Sequence, residues 1–147
     1  MASSLAQLQV IRDKSGNANT VGLSDNFIIK FCKIDPLLCQ AIDEASNIHN
    51  TLLQDFGSDV MNMDEVKLIS KLQGDYVNFY SKYTINPYVA IAARGPWIVT
   101  SHGAVLHDNG GYGMLGMGHG PDDVLSAMQK NWVMANVMTP SFSHKRL

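Results

Sequence analysis

Apolar positions recur at a helical period through the first half of the chain and lose that period near Tyr83. Leu38, Ala41, Ile42, Ala45, His49, Leu52 and Phe56 return every three or four positions, which lines one face of a helix. Asp35 is placed to cap that helix, and Pro36 fits its first position because no amide hydrogen is needed there. Gly57 supplies a left-handed residue to end it. A second helix is predicted from Asn62, with Asn62 and Glu65 as a capping-box pair and Met61 packing on Val66 as a staple. Its stripe is Val66, Ile69, Leu72, Tyr76, Phe79 and Tyr83, and the two helices together predict an antiparallel hairpin. Upstream, Leu5, Leu8 and Ile11 line one side of a short helix, and residues 15–19 read as a loop. Phe27-Ile28-Ile29 is helix or strand, since periodicity does not separate the two in so short a run.

From Asn86 the pattern is different. Trp97-Ile98-Val99-Thr100 reads as a strand, His102-Gly103 as a turn and Ala104-Val105-Leu106-His107 as the returning strand. Asp108-Asn109-Gly110-Gly111 is a second turn. Pro121, Asp122 and Asp123 then open a helix carrying Val124, Leu125, Ala127 and Met128, with the two acids at the positive end of its dipole. Trp132 to Met138 is apolar and of either type, and Thr139-Pro140-Ser141 breaks it. The fold class is therefore α+β: a helical hairpin over residues 1–83, then a small antiparallel β-hairpin or meander and a helix over residues 84–147.

Composition narrows the function classes. Of 147 residues, 46% are hydrophobic and 16% charged, enough apolar content for a packed core. A net charge of -2 with scattered lysines and arginines gives no footprint for nucleic acid or an anionic membrane. The start lacks the basic and apolar regions of a signal peptide, and no run is long enough to span a bilayer. Cys32 and Cys39 read as two buried thiols of a reducing cytoplasm and not as a structural disulfide, since the second half of their stretch is helical, so the expected location is cytoplasmic.

Most of the tempting single residues have ordinary explanations. His102 and His107 read as surface hairpin histidines, and His119 as a histidine bonding backbone before a helix, so no metal site is expected. The glycines from Gly110 to Gly118 lack the Lys-Ser/Thr ending of a phosphate loop. The methionines read as packing residues, and Asp122 and Asp123 as helix-start acids.

Taken in order, Val89-Ala90, Arg94-Gly95, Gly103-Ala104-Val105-Leu106, Asp108 and Gly110-Gly111 form a series. It continues with Leu115-Gly116, Gly118-His119, Pro121, Ala127 and Ser141-Phe142. This series resembles the entry region of the class III pyridoxal-phosphate-dependent aminotransferases, the group of acetylornithine, ornithine and 4-aminobutyrate aminotransferases. The resemblance covers roughly the last two fifths of the chain. The helical first half resembles nothing in the family core and reads as an amino-terminal extension. Asp108 to His119 is shorter than the family's usual spacing. Tyr112 therefore matches either a hairpin tyrosine or an aromatic residue facing the substrate.

The resemblance implies a parent enzyme of α/β fold type I with pyridoxal 5'-phosphate as cofactor. Such an enzyme moves an amino group between a small amine or amino acid and a 2-oxo acid, and decarboxylases and aminomutases share the fold. It implies a homodimer, with Tyr112, Gly113, Met114 and Leu115 at the substrate entrance. Trp97, Met117, His119 and Trp132 are candidates for the dimer interface. In the family the phosphate glycines, the acid and the imine lysine lie beyond the equivalent of Leu147. No catalytic residue is therefore expected in this chain, which is expected neither to hold the cofactor alone nor to be active alone. The abrupt stop at Lys145-Arg146-Leu147 fits a truncated, proteolysed or split enzyme. The alternative is a freestanding helical dimerisation or interaction module derived from such an enzyme.

Overall fold

The computed structural model of the chain describes residues 2–74, 86–109 and 116–130, with side chains from Ser4 onward. Among these residues the helices are α1 (Ala2–Asp13), α2 (Asp25–Phe31), α3 (Pro36–Phe56), α4 (Ser58–Met61), α5 (Glu65–Gln73) and α6 (Asp122–Met128). The strands β1 (Ala90–Arg94), β2 (Trp97–Thr100) and β3 (Val105–His107) lie between α5 and α6. The mixed α+β class is thus as the sequence predicts.

The helix α3 forms where its start signals place it. Asp35 is extended, at φ -129 and ψ 105, and its Oδ1 accepts the Leu37 amide at 3.0 Å. That bond satisfies one of the amides a helix start leaves free. Leu38, Ala41, Ile42, Ala45 and His49 are buried, whereas Leu52 is half-buried and Phe56 is exposed. Gly57 ends the helix with positive φ, but at φ 79 and ψ 166 it is not in the left-handed helical basin. The backbone turns out extended there, in a region that glycine alone occupies readily.

Several local expectations give way to longer-range contacts. The single turn α4 precedes α5, and Asp64 rather than Asn62 occupies the cap position. The Asp64 carboxylate makes no capping bond; it accepts from the Asn17 amide at 3.1 Å and pairs with Lys67 at 3.1 Å. Glu65 forms no capping box. It is fully buried, and its Oε2 accepts the amides of Asn19 at 2.7 Å and Thr20 at 2.6 Å. Met61 is buried but Val66 is exposed, so the staple is not made, and Leu68 is the apolar residue of α5 that faces inward. The stripe residues Tyr76, Phe79 and Tyr83 lie outside the described residues.

The expected helical hairpin is replaced by a helix on a sheet. The strands form an antiparallel meander in the order β1-β2-β3. Arg94 faces Trp97 and Ala92 faces Val99 across the first pair, and Val99 faces Val105 across the second. The β2–β3 turn closes with the Gly103 amide on the Thr100 carbonyl at 3.0 Å. The buried face of α3 packs on β1, β2 and α1 rather than along α5. One core joins Leu8, Ile11, Ile28, Leu38, Ala41, Ile42 and Ala45 of the helices to Ala92, Trp97, Val99 and Val105 of the sheet. The helical half and the hairpin therefore share their apolar interior, while the boundary at residues 83 and 84 lies outside the described residues. No helix among the described residues is long and apolar enough to cross a membrane.

Candidate functional site

Most residues that carry the family resemblance lie in the sheet and just after it, and three side-chain and backbone contacts draw them together. Arg94 ends β1. Its Nε donates to Glu44 Oε1 on α3 at 2.8 Å, and its Nη2 reaches the same oxygen. Its Nη1 donates to the Gly120 carbonyl at 2.6 Å and to Asp122 Oδ1 at 2.7 Å. One planar guanidinium thus fastens α3, the end of β1 and the start of α6. The bonds to Glu44, and then those to Asp122, hold its pKa above the ordinary arginine value.

The second contact is backbone to backbone. The Gly95 amide donates to the His119 carbonyl at 2.9 Å, and the His119 amide donates to the Gly95 carbonyl at 2.7 Å. Gly118 lies against this bridge with φ +73, and a Cβ there would meet the Gly95 Cα at 2.7 Å. The approach is closed to any residue with a side chain.

The third contact is Asp108 Oδ2 with His119 Nε2 at 3.0 Å, with each side chain about a quarter exposed, at 22% and 24%. The Asp108 amide also donates to the Pro96 carbonyl at 2.7 Å. Residues 108 and 119 therefore meet. Tyr112, Gly113, Met114 and Leu115 fall in the stretch between them but outside the described residues, as does Trp132. The two flanks of the stretch are held to the end of the sheet.

The remaining sequence candidates fall elsewhere. Trp97 is spent on the chain's own core: it is 2% exposed, and its Nε1 donates to Asp35 Oδ2 at 2.7 Å. Its ring packs against Phe31 and His107 at centroid distances of 5.2 and 4.8 Å. It is not available to a partner. Met117 is 68% exposed. The His119 ring engages the Asp108 carboxylate, a partner eleven positions upstream that no local pattern announces, and not the backbone contact expected of it; only its main-chain groups pair with Gly95.

His102 is not a surface residue. It is buried, and its Nδ1 contacts Ser101 Oγ at 3.0 Å while its Nε2 contacts the Met63 carbonyl at 2.9 Å. It is buried because the β2–β3 turn abuts the loop before α5. His107 is exposed, as predicted. Sequence reasoning also missed Glu44, since an acid on the polar side of a helix carries no sign of its distant arginine.

The chemistry available here is positional. Among the described residues no group of three His, Cys, Asp or Glu side chains could hold a metal ion. The described residues also do not fit pyridoxal phosphate: Lys14, Lys30, Lys33, Lys67, Lys71 and Lys130 are all exposed. None offers the partly desolvated amine that imine chemistry needs. An open cleft of about 490 Å³ lies between α3, α4, α5 and β1, lined by Leu52, Phe56, Met61, Leu68, Leu72 and Ile91 among others. Its lining among the described residues is mainly apolar, with Lys71 and Ser101 as the polar side chains. No family model, curated protein or solved structure matches this chain.

Proposed function

We propose that the chain is the amino-terminal part of a pyridoxal-phosphate-dependent enzyme of the class III aminotransferase type. It would move an amino group between a small amine or amino acid and a 2-oxo acid, within a cytoplasmic homodimer. The rest of the enzyme, of α/β fold type I, supplies the cofactor site, and this chain alone is inactive. Its part is to present residues 112–115 at the substrate entrance.

One observation supports the reading. Arg94, Gly95, Asp108 and His119 were singled out from sequence as elements of a family series, and they meet in one hydrogen-bonded clamp that also holds Asp122, with Gly118, another element of the series, packed against Gly95. Such a clamp fixes residues 108 and 119, and held flanks are what positioning a substrate requires.

The test uses the complete polypeptide that carries this chain. It should show a cofactor absorbance band that changes when an amino donor is added and returns with a 2-oxo acid; absence of any such band sinks the proposal. Within it, Tyr112→Ala should slow the donor half-reaction about tenfold or more, and Tyr112→Phe less, because the ring stacks and the phenol adds one hydrogen bond. A lowered melting temperature with unchanged single-turnover rate would move Tyr112 to the scaffold.

The alternative, a freestanding dimerisation module, has its own support. Helices and hairpin share one core, and α6 buries none of its residues, leaving Leu125 and Met128 exposed. That reading requires this chain to sediment as a stable dimer by itself and to show no turnover in any context.

A further inference from the structure

The cleft of about 490 Å³ between α3, α4, α5 and β1 has the volume of a small-molecule site. Leu52 and Phe56 line it from the end of α3, Leu68 and Leu72 from α5, and Val89 and Ile91 from the sheet. Phe56 is 60% and Leu72 48% exposed, so two large apolar side chains of its wall face water. Apolar surface gathered in one concave place marks a binding site. Two polar side chains join this wall. Ser101 is buried, and its Oγ is already engaged with the His102 ring at 3.0 Å. Lys71 stands exposed in the last turn of α5. Among the described residues no acid lines the cleft, and Lys67, one turn earlier, is the lysine that pairs with Asp64. A second space of about 330 Å³ shares Leu72 and Val89 with the cleft and adds Gln73, Asn86 and Tyr88. The cleft is thus apolar along α3 and cationic and polar toward the end of α5.

We propose that this cleft binds a free aliphatic carboxylate of medium chain length, a ligand with one apolar tail and one anionic head. The site is independent of the aminotransferase reading, because the Arg94 clamp shares no residue with it. The tail lies along the wall formed by Phe56, Leu68 and Ile91, and the carboxylate meets the Lys71 ammonium at the mouth. Charge complementarity selects the head. An amine head would be repelled by Lys71, and a phosphate head calls for several converging donors, which one lysine does not supply.

The tail supplies the affinity and the head the selectivity. Each methylene taken out of water tightens binding by up to about fourfold. An ion pair at an exposed lysine is weak, so the charge adds only about two- to fivefold. A carboxylic acid is ionised at neutral pH, so the pair forms there, and salt screens it without touching the burial of the tail. A neutral alcohol of the same length keeps the tail contacts and loses the pair.

Decanoate, kept below its micelle concentration, is the probe, titrated into the full chain and followed by amide chemical shifts. It should bind saturably and shift the amides of Phe56, Leu72 and Ile91. Binding should tighten from hexanoate through octanoate to decanoate, and decanol should bind about two- to fivefold more weakly than decanoate at low salt. Lys71→Met should abolish that preference and leave decanol unchanged. Phe56→Ala should weaken both ligands about threefold or more. Both positions are exposed, so both variants keep the fold. Absence of saturable binding, shifts confined to other parts of the chain, or a preference for decanoate that survives Lys71→Met would each overturn the proposal. So would binding only to vesicles of anionic lipid. In the ligand-free chain, nuclear Overhauser contacts to Leu72 and Ile91 from residues 75–85 or from a second copy would show the cleft already filled, and would overturn it as well.

Discussion

The helices α3 and α6 begin with similar chemistry and meet different surroundings. Each starts beside a proline and an acid: Asp35 and Pro36 for α3, Pro121, Asp122 and Asp123 for α6. Each carries apolar residues at helical spacing. Yet α3 runs 21 residues and buries five of them, whereas α6 runs 7 residues and buries none. The difference lies in what stands opposite. β1, β2 and α1 cover one face of α3, while α6 is fastened at its start by Arg94 and leaves Leu125 at 42% and Met128 at 65% exposed. Start signals decide where a helix begins; a packed partner decides whether its apolar face contributes stability.

The sharpest way to break this comparison is to remove matched side chains. Leu38→Ala, at a fully buried position, should cost about 2–5 kcal/mol through lost transfer energy and the cavity left behind. Leu125→Ala should change stability by less than about 0.5 kcal/mol in the isolated chain. Urea unfolding of the two variants measures both. Equal losses would mean that α6 has a packed partner after all.

His49 offers a subtler probe of the same α3 interior. It is 1% exposed, and its Nε2 has no hydrogen-bond partner among the described residues. Burial first, then the charges of Lys14 and His102, hold its pKa below the ordinary 6.5. The unfolded chain therefore takes up this proton more readily than the folded one. The contribution of His49 is fully present above about pH 6.5 and is lost as pH falls toward the folded value, by at most about 1.4 kcal/mol per pH unit. The urea midpoint should drop between pH 7.5 and pH 5.5, and His49→Leu should flatten that dependence. A variant with the same slope as the native chain would place the titration elsewhere.

The smallest expected effect is local to α6. Arg94→Met removes both ties to its first turn, so the Leu125 amide, which donates to the Pro121 carbonyl, should exchange several-fold faster. Amides in the middle of α3 should hardly change. Arg94→Lys should give an intermediate result, because the charge stays while the planar fork is lost. Uniform acceleration across both helices would show that the clamp supports the whole fold rather than α6.

The clamp was only half legible in the sequence. Arg94-Gly95 and Gly118-His119 stood out as pairs, but nothing local says that they bridge or that Asp108 meets His119. Glu65 shows the same limit from the other side. Its spacing from Asn62 suggested a capping box, and the loop at Asn19 and Thr20, more than forty positions away, claimed its carboxylate instead. A buried carboxylate goes to the donors that most fully replace its lost water, and distance along the chain does not enter that comparison.

The sequence by itself determined the position and cap of α3, the β2–β3 hairpin with its turn, the short first helix and the mixed class, because each rests on propensities and periods acting within a few residues. Tertiary structure alone decided that α3 lies on a sheet rather than beside α5, and that Trp97 and His102 are interior. It also decided that Arg94 binds Glu44 and Asp122 together. Those outcomes depend on which apolar and charged groups the folded chain brings opposite one another, a competition among distant partners that no local window contains.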